Sequence, residues 1–237
     1  MKKKITIAID AMGGEDAPKK NIEGLNIFLN KNKTNNDFII HLYGNKIILN
    51  KELSRLGISD NLVKVIHSDS VVSDEETPLT AIKNSKNTSM WNSINAQIEG
   101  DADISLSAGN TGVLFVISKM ILKMMNKVSR PALAGLWPSK KGMSVVLDLG
   151  ANIECDENNL VDFSEMGAAL FKSIFPNQKP YVSLLNIGSE EIKGTEVLKK
   201  TYAKLKSLSN DKNFIFNGYI EGKKLMDGES NVIVTDG

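Results

Sequence analysis

Residues 104–125 read ISLSAGNTGVLFVISKMILKMM, which is a short strand pattern, a turn of small and polar residues, and an apolar segment with helical periodicity. The same order recurs along the chain, because short β-branched runs alternate with longer helical segments. Such alternation is typical of βα units that build a mostly parallel sheet. The sequence therefore predicts an α/β fold, and we expect residues 1–237 to form one continuous domain.

The predicted strands and helices follow from this alternation. The strands are Ile5–Ile9, Phe38–Tyr43, Val63–Ile66, Ile104–Ser107, Ser144–Leu147, Tyr181–Leu185, Phe214–Tyr219 and Val232–Thr235. The helices are Pro18–Asn30, Thr80–Gln97, Gly112–Met125, Phe163–Ile174 and Lys193–Leu208. Ligands of open parallel sheets bind beyond the carboxyl ends of the strands. We therefore expect the turns at Asp10, Ser107, Asp148, Asn186 and Thr235 to share one edge and line one crevice.

Composition excludes several classes of function. With 29 Lys and Arg against 28 Asp and Glu, the net charge of +1 gives no global field to attract nucleic acid. A lone Cys155 and two histidines, His41 and His67, argue against a disulfide framework and against a bound metal. The apolar run Val113–Met125 is interrupted by lysines and is too short to span a membrane. We expect a cytoplasmic protein.

The turn at residues 107–112 is the first candidate site. Glycine lets the backbone approach a ligand, and Asn110 and Thr111 stand beside the first N–H groups of the following helix. Ser107, Gly109, Asn110, Thr111 and Gly112 are therefore predicted to hold a phosphate-sized anion. The alternative is an ordinary N-cap and tight turn. The turn lacks both the Walker lysine and the dinucleotide fingerprint, which argues against ATP and NAD.

Two further strand ends carry candidate residues. Asp10 precedes Gly13 and Gly14, so a carboxylate and flexible backbone are predicted to line the site; the alternative is that Asp10 caps the helix near Pro18. Residues 186–194 read NIGSEEIKG. There Lys193 fits the role of a cation that balances charge on phosphate or on an oxyanion, and its alternative is a solvated helix terminus.

Two other features have less specific interpretations. Lys119, Lys123 and Lys127 recur at four-residue spacing before Arg130, so we expect one basic stripe along a helix. That stripe fits either a docking surface for an acidic partner or an ordinary solvated face. Cys155 has no base arranged beside it in the sequence, and we expect a bystander thiol.

Several ordered segments of the chain resemble the bacterial phosphate acyltransferase family of phospholipid synthesis, the acyl-acyl-carrier-protein:phosphate acyltransferases. They are residues 9–18 (IDAMGGEDAP), 107–112 (SAGNTG), 130–134 (RPALA), 147–152 (LDLGAN), 184–194 (LLNIGSEEIKG), 217–222 (NGYIEG) and 234–237 (VTDG). The resemblance covers essentially the whole chain. An ordered set of segments is also far more specific than a single glycine-rich loop.

The resemblance implies an enzyme that moves a long-chain acyl group from acyl carrier protein to inorganic phosphate without a cofactor. It implies a Rossmann-like three-layer α/β/α sandwich related to the phosphotransacetylases and the isocitrate and isopropylmalate dehydrogenases. It also implies a homodimer, with peripheral contact to the membrane or to a glycerol-phosphate acyltransferase. Family members continue past Thr-Asp-Gly with a Phe-x-Gly-Asn segment and further helices, so the resemblance predicts a domain truncated at its carboxyl terminus.

Residue roles are carried over on the matching segments. Asn110, Thr111 and Gly112 are expected to bind phosphate, and Lys193 to balance charge. The amide donors around the reacting centre are expected to be Asn152, Asn186 and Asn217. Lys193, Asn186 and Asn217 are thus the predicted catalytic residues. The other residues predicted to line the site are Asp10, Gly13, Gly14, Ser107, Gly109, Gly188, Glu190, Glu221 and Asp236.

Two alternatives to this activity stay open. The same fold is compatible with acyl-coenzyme A as the donor, as in a phosphotransacylase. A protein of a different class, a non-catalytic module that binds acyl carrier protein through the Lys119–Arg130 region, would also carry these segments. A dehydrogenase is the weakest reading, because the dinucleotide fingerprint is missing.

Overall fold

The structure is a computed structural model that describes residues 4–33, 37–58, 61–73, 75–208 and 213–236. Its internal contacts divide the chain into two units, Met1–Lys123 and Met124–Gly237. Strands alternate with helices in both units, which confirms the predicted α/β class. The expectation of one continuous domain stays a prediction.

The first unit contains a four-stranded, fully parallel sheet in the order β3-β2-β1-β4. Its elements are β1 (Ile5–Asp10), α1 (Lys19–Lys31), β2 (Phe38–Gly44), α2 (Lys46–Arg55), β3 (Val63–His67), α3 (Pro78–Asn84), α4 (Ser89–Ile98), β4 (Ile104–Ser107) and α5 (Thr111–Leu122). Since all strands are parallel, their carboxyl ends lie at one edge. The turns after β1 and β4 therefore adjoin, as the sequence predicts for these two.

Helices pack on both faces of this sheet. On one face, α1 and α2 bury Ile22, Leu25 and Leu49 against β2. On the other face, α4 contributes Ala96, which packs with Ala8 of β1. Alternate residues of a strand point to opposite faces, so the apolar character of β1 on both sides is what a buried central strand requires.

The segment Thr80–Gln97, predicted as one helix, is two helices. After α3 ends at Asn84, Asn87 adopts a left-handed conformation with φ of 68°. The side chain of Thr88 then caps α4 by accepting a hydrogen bond from the Trp91 N–H. A threonine cap preceded by a left-handed asparagine interrupts the helix more strongly than the apolar periodicity extends it.

The second unit contains a five-stranded sheet in the order β5-β6-β9-β7-β8, in which only β5 runs antiparallel to its neighbour. Its elements are β5 (Gly135–Ser139), β6 (Gly142–Leu147), α6 (Glu157–Ile174), β7 (Tyr181–Asn186), α7 (Glu196–Leu208), β8 (Ile215–Glu221), a 3-10 helix (Gly222–Asp227) and β9 (Val232–Val234). The parallel strands β6, β9 and β7 end at one edge.

The long helix α6 forms much of the core of this unit. Phe163 and Phe171 are fully buried against strands β6, β7 and β9. Gly167 allows the close approach, because a Cβ there would lie 2.6 Å from Leu147 Cδ1. The sequence pattern missed β5 and α2, and it placed the start of α6 late, since the capping box of Asp156 and Asn159 opens that helix.

Helix α7 begins at Glu196, whereas the sequence predicted Lys193 as its first residue. Lys193 instead lies in the loop after β7, followed by Gly194 with φ of 93°. Among the described residues, no helix combines the length and the hydropathy that a membrane span requires.

Candidate functional site

The first strand-end cluster joins the turns after β1 and β4. Asp10 is buried, and Ser107 Oγ donates a hydrogen bond of 2.8 Å to its Oδ2. Ser107 Oγ in turn accepts from the Gly109 N–H at 3.1 Å. The pairing register places Asp10 directly opposite Ser107. The carboxylate thus fixes the turn after β4, and it does not cap α1, whose N-cap is Pro18 without a side-chain bond.

Glycine is required at two positions of this cluster. A Cβ on Gly13 would lie 2.4 Å from Asp10 Oδ2 and 3.1 Å from the Gly109 nitrogen. Gly14 has φ of 97°, and a Cβ there would lie 2.6 Å from the Ala108 carbonyl oxygen. The side chain of Asn21 donates to the carbonyl oxygens of Ala11 and Gly13. The two turns are therefore packed backbone against backbone.

Asn110 is the N-cap of α5, and binding of an anion by this turn stays a prediction. Its Oδ1 accepts from the Val113 N–H at 3.1 Å, and its Nδ2 donates to the Glu76 carbonyl oxygen at 3.0 Å. Both ends of the side-chain amide are engaged. Thr111 and Gly112 follow at exposed positions in the first turn, where helical N–H groups have no partner within the helix.

In the second unit, the strand end after β6 is organised by Asp148. This fully buried carboxylate accepts from the N–H groups of Leu133, Ala151 and Asn152 at 2.8, 3.3 and 2.7 Å. It also accepts from Asn152 Nδ2 at 2.8 Å, and that group donates in addition to the Pro131 carbonyl oxygen. Asn152 therefore supports the loop. Only the turn at Asp148, and not the residue itself, was predicted to line the site, although a carboxylate directly after a buried apolar strand is a usable signal.

The loop after β7 is closed by Asn186. Its Oδ1 accepts from the Ile187 N–H at 2.8 Å, and its Nδ2 donates to the Lys193 carbonyl oxygen at 3.1 Å. One buried amide thus joins the first and last residues of the loop. Gly194 packs against it, because a Cβ there would lie 2.5 Å from Asn186 Oδ1. The position of Lys193 is consequently determined by the end of β7.

Lys193 and Glu190 form an ion pair with an N–O distance of 2.9 Å at a half-exposed position. The hydrogen bond from Lys193 lowers the pKa of the Glu190 carboxyl below its ordinary value of 4.5. Gly188 lies beneath the pair, since a Cβ on it would lie 2.4 Å from Lys193 Cδ. The structure therefore brings the predicted residues Asn186, Gly188, Glu190 and Lys193 together.

Further charged groups surround this loop. Glu221 ends β8 opposite Asn186 in the strand register and pairs with Lys223 at 3.0 Å. The charge of Lys223 also contributes to lowering the pKa of Glu190. On the α7 side, Glu191 accepts from Tyr202 and Lys206, whose hydrogen bonds lower the pKa of its carboxyl. Sequence reasoning missed Lys223, Tyr202 and Lys206, because their proximity depends on tertiary packing.

Two further predicted site residues, Asn217 and Asp236, differ in their position relative to Asn186. Asn217 is inside β8, and its Nδ2 donates to Ser230 Oγ and the Glu229 carbonyl oxygen before β9 begins. It thus lies toward the opposite end of the sheet from Asn186, and the structure does not bring the two together. Asp236 follows β9 at an exposed position, next to the ends of both β6 and β7, since Val234 pairs with Leu147 and with Leu184.

The basic stripe predicted for Lys119, Lys123 and Lys127 is interrupted. Helix α5 ends at Leu122, and Lys123 and Lys127 have positive φ values of 60° and 69°. Arg130 donates instead to the Glu154 carbonyl oxygen.

Burial raises the pKa of the Cys155 thiol, and the charge of Asp148 makes the next largest contribution in the same direction. A raised pKa disfavours the thiolate that a nucleophile needs.

Solved structures with the same architecture define the class of fold. The EutD phosphotransacetylase from Staphylococcus aureus matches with a TM-score of 0.67 at 15% identity, over 99% of this chain and 78% of its own. A phosphotransacetylase from Streptococcus pyogenes matches with a TM-score of 0.68 at 14% identity, over 98% of this chain and 77% of its own. The fold is thus the Rossmann-like α/β fold that these phosphotransacetylases share.

Sequence comparison gives the family. The model of the fatty acid synthesis protein family matches residues 5–237. A phosphate acyltransferase of Pelagibacter ubique (strain HTCC1062) is 50% identical over 237 residues, which is all of this chain and 69% of that protein. One of Caulobacter vibrioides is 37% identical, over all of this chain and 64% of that protein. The chain belongs to this phosphate acyltransferase family and spans about two thirds of the length of these relatives.

Proposed function

We propose that this chain carries the acyl-transfer activity of a phosphate acyltransferase of lipid synthesis. The donor is a fatty acyl thioester of acyl carrier protein, the acceptor is inorganic phosphate, and the product is an acyl phosphate. The observation that carries the proposal is the 50% identity with the Pelagibacter phosphate acyltransferase over the full 237 residues. The proposal includes a homodimer in the cytoplasm, no cofactor, and peripheral contact with the membrane or a glycerol-phosphate acyltransferase.

The chemistry requires positioning more than it requires a protein nucleophile. A phosphate oxygen attacks the thioester carbonyl carbon, the carbon–oxygen bond forms, and the carbon–sulfur bond then breaks to release the carrier thiolate. Because thiolate is a good leaving group, no strong general acid is needed. The tetrahedral oxyanion needs a nearby positive charge. Lys193 is suited to this role because Asn186 fixes its backbone and its ammonium group is half-exposed.

The turn after β4 is proposed, separately, to bind a phosphate-sized anion. Gly109, Thr111 and Gly112 offer backbone close to the start of a helix, where the dipole favours negative charge. Asn110 acts there as the cap that holds the helix start in place, because its side-chain amide is already engaged. Nothing in this role requires a metal or a nucleotide.

The test is an assay of acyl phosphate formation by residues 1–237 with phosphate present or absent. Palmitoyl thioesters of acyl carrier protein and of coenzyme A are compared, and the Pelagibacter relative serves as the positive control. We expect phosphate-dependent turnover with the carrier-protein thioester. Faster turnover of the coenzyme A thioester would mean that acyl-coenzyme A is the donor instead. Complex formation with acyl carrier protein but no acyl phosphate would leave only a binding module.

A further inference from the structure

Exposed isoleucines stand out at the carboxyl edge of the second sheet. Ile153, in the loop after β6, is 98% exposed, and Ile187 and Ile192, in the loop after β7, are 83% and 82% exposed. Among the described residues of this unit, the next most exposed large apolar side chain is Met125 at 76%, followed by Leu136 and Met226 at 46%. Single exposed apolar residues are ordinary, but these are concentrated on two loops at one edge.

Both loops are held so that these side chains stay outside. Asn186 bonds to the N–H of Ile187 and to the carbonyl oxygen of Lys193, which closes the loop that carries Ile192. In the other loop, the buried Asp148 accepts from the N–H groups of Ala151 and Asn152, directly before Ile153. The anchoring polar groups occupy the inside of each loop, so the isoleucines project into solvent.

The sheet topology places the two loops near each other. Strand β9 alone separates β6 from β7, and Leu147 and Leu184 both pair with Val234. Two strand spacings correspond to about 10 Å. One extended alkyl chain is long enough to contact both loops, and the Lys193–Glu190 pair lies in the same loop as Ile187 and Ile192.

The charges around these isoleucines favour an alkyl chain over a bilayer as the occupant. Segments that bind membranes combine apolar residues with an excess of lysine and arginine. Here Lys193 is paired with Glu190 at 2.9 Å, and Lys206 with Glu191 at 3.0 Å. With Glu154 beside Ile153, the two loops offer no basic excess to anionic lipid headgroups.

We propose that Ile153, Ile187 and Ile192 receive the alkyl chain of the fatty acyl thioester. The inference rests on the proposed function. It adds where the alkyl chain binds and which residues discriminate between long and short alkyl chains. Contact with the isoleucines removes apolar surface of both partners from water, and the gain grows with each methylene that is covered. Long acyl chains should therefore depend on these residues, and short ones should not.

The experiment measures binding as well as turnover. The dissociation constants of palmitoyl and butyryl pantetheine are determined for the wild type and for the double variant Ile187→Ser/Ile192→Ser. We expect the double variant to bind palmitoyl pantetheine about tenfold more weakly, the effect of losing one well-covered apolar side chain. Butyryl pantetheine should change less than twofold. Ile187→Leu/Ile192→Leu should restore most of the palmitoyl affinity.

Ile47→Ser is the matched control, because Ile47 lies in the first turn of α2 in the first unit and is 81% exposed. It should leave both dissociation constants unchanged. Equal weakening of palmitoyl and butyryl binding, or no weakening of either, would overturn the assignment. So would a double variant that loses only its affinity for phosphatidylglycerol vesicles, which would indicate a lipid surface. A wild type that binds palmitoyl pantetheine by these residues but forms no acyl phosphate would contradict the proposed function alone.

Discussion

Polar residues at the strand ends have different structural roles in the two units. After β1 and β4, Asp10 and Ser107 bond to each other and draw two glycine-rich turns into close backbone contact. After β7, Asn186 bonds only within its own loop and directs Lys193, Ile187 and Ile192 outward. The first arrangement shapes backbone, and the second presents side chains. In the proposed function, the first cluster would bind the anion and the second would handle the acyl thioester.

The largest expected effect is on stability, and it compares the two buried carboxylates. Asp148→Ala leaves the N–H groups of Leu133, Ala151 and Asn152 without their acceptor. We expect the free energy of unfolding to fall by about 3 to 5 kcal/mol, since each buried donor left unpaired is costly. Denaturant unfolding measures it.

Asp10→Ala provides the comparison in the first unit. That carboxylate accepts from Ser107 Oγ at 2.8 Å and only weakly from the Met12 N–H at 3.4 Å. The free energy of unfolding should fall about half as much as in Asp148→Ala, by roughly 2 kcal/mol. Equal losses for the two variants would mean that the hydrogen-bond count does not determine the difference between these strand ends.

The next effect is on the rate. Lys193→Ala should lower the rate of acyl phosphate formation at least about a hundredfold, the size expected when a group that stabilises an oxyanion is removed. Lys199→Ala is the control, because Lys199 forms a similar exposed pair with Glu196 three residues away. A Lys193 variant within about threefold of wild type, or a Lys199 variant as slow as it, would remove Lys193 from the mechanism.

A second effect on stability tests the close packing of the first cluster. Gly14→Ala combines a positive φ with a Cβ placed 2.6 Å from the Ala108 carbonyl oxygen, and we expect a loss of about 2 to 3 kcal/mol. Gly150→Ala in the second unit has φ of 90° and no atom within 4 Å of the added Cβ. It should lose only about 1 kcal/mol. Thermal unfolding would detect the difference, and a larger loss at Gly150 would contradict it.

The smallest effect concerns pH. Lys193 lowers the pKa of Glu190 in the folded protein. The pair therefore stabilises the folded protein at pH values above the ordinary glutamate pKa of 4.5. Its contribution is lost as the pH falls through the lowered value. Carboxyl titration by NMR should show the Glu190 pKa rising toward the ordinary range in Lys193→Ala. Glu191, whose pKa is lowered by Tyr202 and Lys206, should keep its lowered value. A shift of both would indicate a general rearrangement.

The fold was more predictable than the site. Strand patterns such as Phe38–Tyr43 nearly coincide with the structure, because buried apolar runs bounded by turns have few alternatives. Helix boundaries that the apolar periodicity did not predict are determined by local capping. Thr88, for example, starts α4 inside a segment predicted to be one helix. The Asn186–Lys193 group was found because its members are close in sequence. The position of Asn217 depends on how β8 lies beside the chain that enters β9, which a single sequence does not contain. The role of Asp148 depends on the Leu133 N–H, which reaches it from the segment before β5.

The hydrogen bond between Ser107 and Asp10 spans 97 positions of the chain. During synthesis, the carboxylate leaves the ribosome long before the hydroxyl that it will accept from. The glycine-rich turn after β1 therefore has to wait, without its partner, until β4 has emerged and joined the sheet. The cluster can therefore form only after β4 has paired with β1. An antibody or probe that recognises the joined turns would measure when this pairing occurs.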